Sequence, residues 1–141
     1  MKPYIRRVQY YETDMMGIVH HANYIHWMEE AWVDFMDQLG YPYARMEAEG
    51  FQSPVRGLTC QYRQPCRFGD TVAVEVSVIA YKGVLMTLKY DIRRADSGDR
   101  LCEATSEHVF VNREGRLIRL ERDLPEFSAA VKALMAEETA L

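Results

Sequence analysis

Between residues 23 and 39 the apolar side chains Tyr24, Ile25, Met28, Ala31, Trp32, Phe35, Met36 and Leu39 return at intervals of three and four, which predicts a helix with a broad apolar stripe. Asn23 is placed as its N-cap, and Gly40 with Pro42 as its stop. At ~1.5 Å rise per residue such a helix runs about 25 Å, enough to cross the face of a small sheet. Downstream the period shortens to two. Val72, Val74, Val76 and Val78 alternate with Thr71, Ala73, Glu75 and Ser77, and Met86, Leu88, Tyr90 and Ile92 alternate with Thr87, Lys89, Asp91 and Arg93. Both runs read as strands with one buried face. Lys82-Gly83 predicts the hairpin between them, and the turn residues at 96–99 lead to a further strand over 101–112. Residues 4–11 and 55–62 supply two more strands, Glu114-Gly115 precedes a short strand at 117–120, and Pro125 opens a C-terminal helix. One long helix ahead of four or five antiparallel strands is an α+β arrangement in which the sheet curls round the helix to cover its stripe. The chain, 1–141, is expected to form one domain, with sheet edges that invite a dimer.

Charge narrows the function classes. With 17 basic and 21 acidic residues the formal net charge is −4, which argues against sequence-independent nucleic-acid binding. Cys60, Cys66 and Cys102 lack the paired spacing of zinc or redox motifs and read as free thiols of a reducing compartment. The first residues carry no apolar signal region, and no run approaches the ~18 apolar residues of a membrane span, so a cytoplasmic protein with no membrane insertion is expected.

The candidate chemistry lies just ahead of the long helix, where Asp14, Gly17, His21, Asn23 and Tyr24 fall within a short run. A carboxylate and an imidazole beside a helix start, with a glycine allowing close backbone approach, suit reactions that build negative charge on oxygen. Asp14 can act as nucleophile or as general base, and His21 can orient it, bind a carbonyl or protonate a leaving group. Metal binding by His20, His21 and His26 is disfavoured by their spacing, so neither metal nor cofactor is expected.

Tyr10, Thr13-Asp14, Gly17, Val19, His21, Ala22-Asn23-Tyr24 and Glu29, with fainter echoes at residues 67–70 and 109–120, resemble the signature of hot-dog-fold acyl-CoA thioesterases of the 4-hydroxybenzoyl-CoA thioesterase type, including the Tol-Pal-associated branch. The similarity runs from about residue 8 to residue 124. It implies a hot-dog fold, a five- to six-stranded antiparallel sheet wrapped around one long central helix and dimerising through the sheet. It also implies hydrolysis of an acyl-CoA thioester to a free acid and CoA. Asp14 is then the catalytic carboxylate, assisted by His21 and Tyr10, with the backbone amide of His21 meeting the thioester oxygen; Gly17, Ile18, Val19, Asn23 and Tyr24 bind substrate. The resemblance further implies a homodimer or homotetramer with sites at the subunit interface. Alternatives on the same scaffold are acyl-carrier-protein thioesterase or hydratase-type chemistry, Glu29 as the catalytic acid, or a non-catalytic acyl-CoA binding adaptor. Lys82, Lys89, Arg93, Arg94 and Arg119 are the cations placed as candidates for the CoA phosphates. Departures from the signature are Glu12 where Asp is common, Met15 where a small residue is common, and Trp32 where Arg is common.

Overall fold

The computed structural model describes residues 1–140. Strand β1 (Tyr4–Arg7) leads through a 3₁₀ turn (Tyr10–Glu12) and a loop to helix α1 (Ala22–Leu39); a short α2 (Tyr43–Ala48), β2 (Val55–Tyr62), β3 (Thr71–Lys82), β4 (Leu85–Arg94), β5 (Arg100–Val109), α3 (Leu120–Asp123) and α4 (Pro125–Ala140) follow. The five strands form one sheet in the order β1-β3-β4-β5-β2. β1 pairs antiparallel with β3, Tyr4 opposite Val74 and Arg7 opposite Thr71. Contacts cluster in two compact units.

The first unit comprises Met1–Phe35, Thr59–Ser77 and Lys89–Thr105. Its core holds Trp27, Met28, Ala31 and Phe35 of α1 with Val72, Val74, Tyr90 and Ile92 of the alternating strands, all buried. α1 touches both outer strands of the sheet. On one side Glu30 Oε1 accepts from Tyr4 Oη and Arg6 Nε, each at 2.7 Å; on the other the Cys60 thiol donates to Met28 Sδ at 3.8 Å and the Tyr24 and Tyr62 rings meet at 5.1 Å. Outer strands of a flat five-stranded sheet stand about 19 Å apart, whereas a helix with its side chains is about 10–12 Å across. A helix in contact with both therefore requires the sheet to curl round it, the arrangement expected from the width of the apolar stripe.

The second unit comprises Met36–Leu58, Val78–Leu88 and the chain from Ser106 on. Phe127 packs against Tyr41 and Phe110 at ring distances of 5.5 and 5.6 Å. The Arg45 guanidinium lies 4.2 Å over the Tyr41 ring and pairs with Glu49 and Glu126. His108 is buried, with Nε2 2.7 Å from Ser106 Oγ, and burial pushes its pKa down to about 4, so the ring is neutral at pH 7.

Four sequence expectations are corrected. The strand predicted over 4–11 ends at Arg7, because Val8 donates to Asp70 O and residues 10–12 wind into the 3₁₀ turn. α1 begins at Ala22, so Asn23 lies inside the helix rather than capping it, and its side-chain amide donates to Glu12 O at 2.9 Å. Ile25, assigned to the buried stripe, is 40% exposed, and Trp27 is fully buried instead. Residues 117–120 form a single bridge, Val111 to Leu117, and Leu120 already opens α3. α2 was not foreseen: the chain winds one further short helix beyond the Gly40–Pro42 stop. Among the described residues no helix is long and apolar enough to cross a membrane.

Candidate active site

The segment from Gln9 to Tyr24 is shaped by the buried carboxylate of Glu12, which is 1% exposed. One oxygen accepts from Arg6 Nη1 at 2.5 Å and from the Gln9 amide at 2.8 Å; the other accepts from Trp27 Nε1 at 2.8 Å. Burial alone would raise the Glu12 pKa, but the hydrogen bonds from Arg6, Gln9 and Trp27 outweigh it and hold the carboxyl below its ordinary value. Burial likewise opposes the charge of Arg6, and its pairing with Glu12 and Glu30 more than offsets this. The main-chain carbonyl of Glu12 accepts from the His20 amide and from Asn23 Nδ2, both at 2.9 Å. One residue thus ties β1, the 3₁₀ turn, the following loop and the start of α1.

Beyond Glu12 the chain doubles back through a bridge between Thr13 and Val19. The Asp14 amide donates to Ile18 O, and the Gly17 amide to Asp14 O, both at 2.9 Å. Gly17 closes this turn at φ +77°, a left-handed conformation that a side chain disfavours. Asp14 Oδ1 accepts from the Met16 amide at 2.8 Å, which fixes the carboxylate on its own loop. Its Oδ2 has no hydrogen-bond partner among the described residues.

At the mouth of α1 the Ala22 amide donates to His20 Nδ1 at 3.2 Å, and the His20 and His21 rings stack at 4.3 Å. The Tyr62 hydroxyl donates to His21 O at 3.0 Å. With the His20 amide bound to Glu12 and the His21 carbonyl bound to Tyr62, the His21 amide between them meets no acceptor among the described residues. Burial, with the neighbouring Cys60 thiol adding to it, pushes the Tyr62 pKa up to about 12, and burial raises the Tyr24 phenol too, where its hydroxyl meets Cys66 Sγ at 3.2 Å. Both phenols keep their protons near neutral pH.

These groups border a cleft of about 340 Å³. Asp14, Ile18, Val19, His21 and Tyr24, singled out in the sequence, line it together with Met16 and the run Tyr62, Arg63, Gln64 and Pro65. Three other singled-out residues stand differently. Gly17 shapes the turn, and its carbonyl accepts from Arg67 Nη1 at 3.2 Å. Asn23 points back to Glu12. Tyr10 is 76% exposed, sits edge-on to Phe68 at 5.6 Å and does not line the cleft.

None of the five cations placed for CoA lines the cleft; Arg93 pairs with Asp91, and Arg94 with Asp70. The lining cation is Arg63, which sequence reasoning missed because it faces the cleft only once the sheet has curled. The sole local signal was its place just after a strand and before Pro65. Among the described residues no three His, Cys, Asp or Glu side chains converge as a metal ligand set.

Chemically, the lining combines Asp14, whose Oδ2 has no partner among the described residues, with the imidazole of His21 and its backbone amide, which meets no acceptor among them, beside apolar side chains. That set can attack or hydrate an acyl carbon and bind the negative charge that develops on its oxygen.

Residues 8–135 match the thioesterase-like superfamily. A putative acyl-CoA thioesterase of Bacillus subtilis, YneP, is 36% identical over 124 residues, which cover 87% of this chain and 89% of that protein. The acyl-CoA thioester hydrolase YbgC of Escherichia coli O157:H7 is 26% identical over 91 residues, 64% of this chain and 68% of that protein. The crystal structure of a DHNA-CoA thioesterase from Staphylococcus aureus superposes with a TM-score of 0.93 at 29% identity, covering 99% of this chain and 93% of that one.

The Glu12 node predicts an acid-sensitive fold. A carboxyl whose pKa is lower in the folded than in the unfolded chain stabilises fully above its ordinary value of 4.5, and the contribution is lost as pH falls through the lower folded value. Glu12→Gln, which leaves Arg6 with Glu30 alone and removes the charge that the Gln9 and Trp27 donors meet, should cost about 1.5–3 kcal/mol in urea unfolding at pH 7. The gap between variant and wild type should narrow as the pH is taken below 4.5; a gap that is small at pH 7, or that widens in acid, refutes the role given to the carboxylate.

Proposed function

The chain belongs to the thioesterase-like superfamily, and from that premise we propose that it is an acyl-CoA thioesterase that hydrolyses the thioester to a free carboxylic acid and CoA, with Asp14 as the reacting carboxylate. The observation that carries this reading is the Asp14 side chain itself, anchored through Oδ1 to the Met16 amide on the wall of a cleft shared with His21 and the start of α1.

A thioester carbonyl has weak resonance stabilisation and a good thiolate leaving group, so the site has two tasks: delivering a nucleophile and stabilising the oxyanion. The His21 amide, at a helix start that carries partial positive charge, is the donor assigned to the oxyanion. In one route Asp14 Oδ2 bonds to the acyl carbon, the C–S bond breaks, the thiolate takes a proton, and water cleaves the resulting anhydride. In the other, Asp14 takes a proton from a water molecule that attacks the same carbon, the C–S bond of the tetrahedral intermediate breaks, and the proton passes to the leaving thiolate. His21, on the same wall, is assigned to orient the carboxylate or the carbonyl. Tyr10 serves only at one remove, since its ring lies outside the cleft walls.

The proposal includes a homo-oligomer in which a second copy completes each cleft. Support comes from β2, an outer strand whose Val55, Leu58 and Tyr62 are exposed, and from Met15 and Met16, exposed at the tip of the Asp14 loop. An edge strand with apolar side chains is a template for a further strand.

Three measurements test this reading. Asp14→Asn should lower kcat for acyl-CoA hydrolysis at least about 10³-fold with an unchanged circular dichroism spectrum; near-normal turnover refutes the assignment, and saturable acyl-CoA binding by the wild type without thiol release identifies a binder instead. Single turnover in heavy-oxygen water followed by peptide mass analysis separates the routes, since label in the Asp14 side chain marks the anhydride. Light scattering should give at least twice the 16.4 kDa protomer mass; a monomer that is fully active removes the shared-cleft proposal.

A further inference from the structure

Arg63 is the one lysine or arginine among the residues lining the cleft. It follows β2 directly, its amide donating to Leu101 O at 2.8 Å, and its side chain is half-exposed. Glu103 Oε2 accepts from Arg63 Nε at 3.0 Å and from Nη2 at 2.8 Å, and Gln61 Oε1 accepts from Nη2 at 2.7 Å. Three of the five N–H bonds of a guanidinium lie on Nε and Nη2; the remaining nitrogen, Nη1, has no partner among the described residues.

Charge around this side chain is not balanced one to one. Glu103 is shared with Arg100, at 3.4 Å, and also feels the charge of Lys89. Arg100 leans in turn on Asp91, which holds Arg93 as well. Arg63, Arg100, Arg93 and Lys89 therefore share Glu103 and Asp91, so Glu103 orients the Arg63 fork while its charge is divided among several cations. A guanidinium held in place in this way loses little further freedom on binding an anionic oxygen.

We propose that Arg63 is an anion-recognition residue of the cleft, its free Nη1 binding a phosphate or carboxylate oxygen of the ligand while Glu103 holds the rest of the fork. The proposal rests on the thioesterase reading for the identity of the ligand, but its test does not depend on turnover. Two sources share the required chemistry: the nucleotide end of CoA and an acyl group that ends in a carboxylate.

Calorimetric titration of the full chain separates them, with four stable ligands: coenzyme A, pantetheine, a pantetheine thioether ending in a carboxylate, and the methyl ester of that thioether. Arg63→Ala should weaken binding about tenfold or more for the charged member of one pair relative to its neutral member, because a charge-assisted hydrogen bond is lost. Loss confined to coenzyme A against pantetheine assigns the phosphate source; loss confined to the carboxylate thioether against its ester assigns the acyl source. Arg63→Lys, which keeps the charge without the fork, should recover only part of the loss.

Equal weakening of charged and neutral ligands, no weakening of any, or no binding of any by the wild type overturns the proposal. Charge-selective weakening in a protein that releases no thiol from acyl-CoA leaves the anion site standing and removes the hydrolase reading. Thiol release without charge-selective weakening does the reverse. Because Arg63 is half-exposed and Glu103 keeps Arg100, the substitution should leave the fold intact, which the unfolding midpoint checks.

Discussion

A single buried carboxylate sets the geometry on which the site depends. Removing Glu12 from water is costly, and in isolation such a group would take up a proton. It stays charged because donors from three separate stretches of chain converge on it: Arg6 from β1, the Gln9 amide before the 3₁₀ turn, and Trp27 from α1. Arg6 in turn bridges to Glu30, which also takes the Tyr4 hydroxyl; burial first and then Glu30 raise the Tyr4 pKa to about 12, so the phenol remains a donor. A network satisfied in this way tolerates no sliding of α1 along β1, because any shift would strand a charge.

Two residues on, the Asp14 loop inherits that rigidity. The Glu12 carbonyl fixes the His20 amide and Asn23, Cys66 O fixes the Val19 amide, and the Tyr62 hydroxyl fixes the His21 carbonyl. These neighbouring backbone groups are thereby committed, while the His21 amide meets no acceptor among the described residues. Preorganised donors stabilise a developing oxyanion because they need not reorganise when the charge appears. The same scaffold that buries Glu12 thus holds both the Asp14 loop and the His21 backbone N–H in place, which is a physical reason for a pair of groups proposed to react to lie beside the ion-paired node rather than on a free loop.

How much of this could be read from the chain alone follows the range of the interactions. The three-and-four spacing of Tyr24, Met28, Ala31, Trp32 and Phe35 and the alternation from Val72 to Ile92 are local signals, and α1, β3 and β4 follow them. The bounds predicted for β2 match the observed Val55–Tyr62. Failures occur where a distant partner decides. Residues 8–12 carry strand-like side chains, yet the Glu12 carboxylate draws in the Gln9 amide and the backbone turns. Asn23 reads as a cap, but the Glu12 carbonyl lies within reach of its side chain and the helix starts a residue earlier. In the site, Asp14, His21 and Tyr24 were legible because they lie in one short run. Tyr62 and Arg63, about forty residues on, were not, since only the curl of the sheet brings β2 against the helix start.

The division of labour within the cleft follows from its lining. Met16, Ile18, Val19 and Pro65 offer apolar surface, and the two tyrosines present rings whose hydroxyls are already committed to Cys66 and His21. Among the described lining residues the carboxylate and the guanidinium are Asp14 at the loop and Arg63 at the rim, of opposite sign. An apolar wall discriminates weakly between ligands that differ by a methylene, whereas a fixed charge discriminates strongly between charged and neutral ones. On the proposed reading, selection of ligand class in such a cleft falls to the charged rim, and fine selection of acyl size to the methionine-bearing loop. Met15, wholly exposed, and Met16 are flexible side chains that adapt to whatever surface covers them. Because the loop that carries them is pinned through Asp14, their side chains can adjust to a bound group while the carboxylate proposed to react keeps its place.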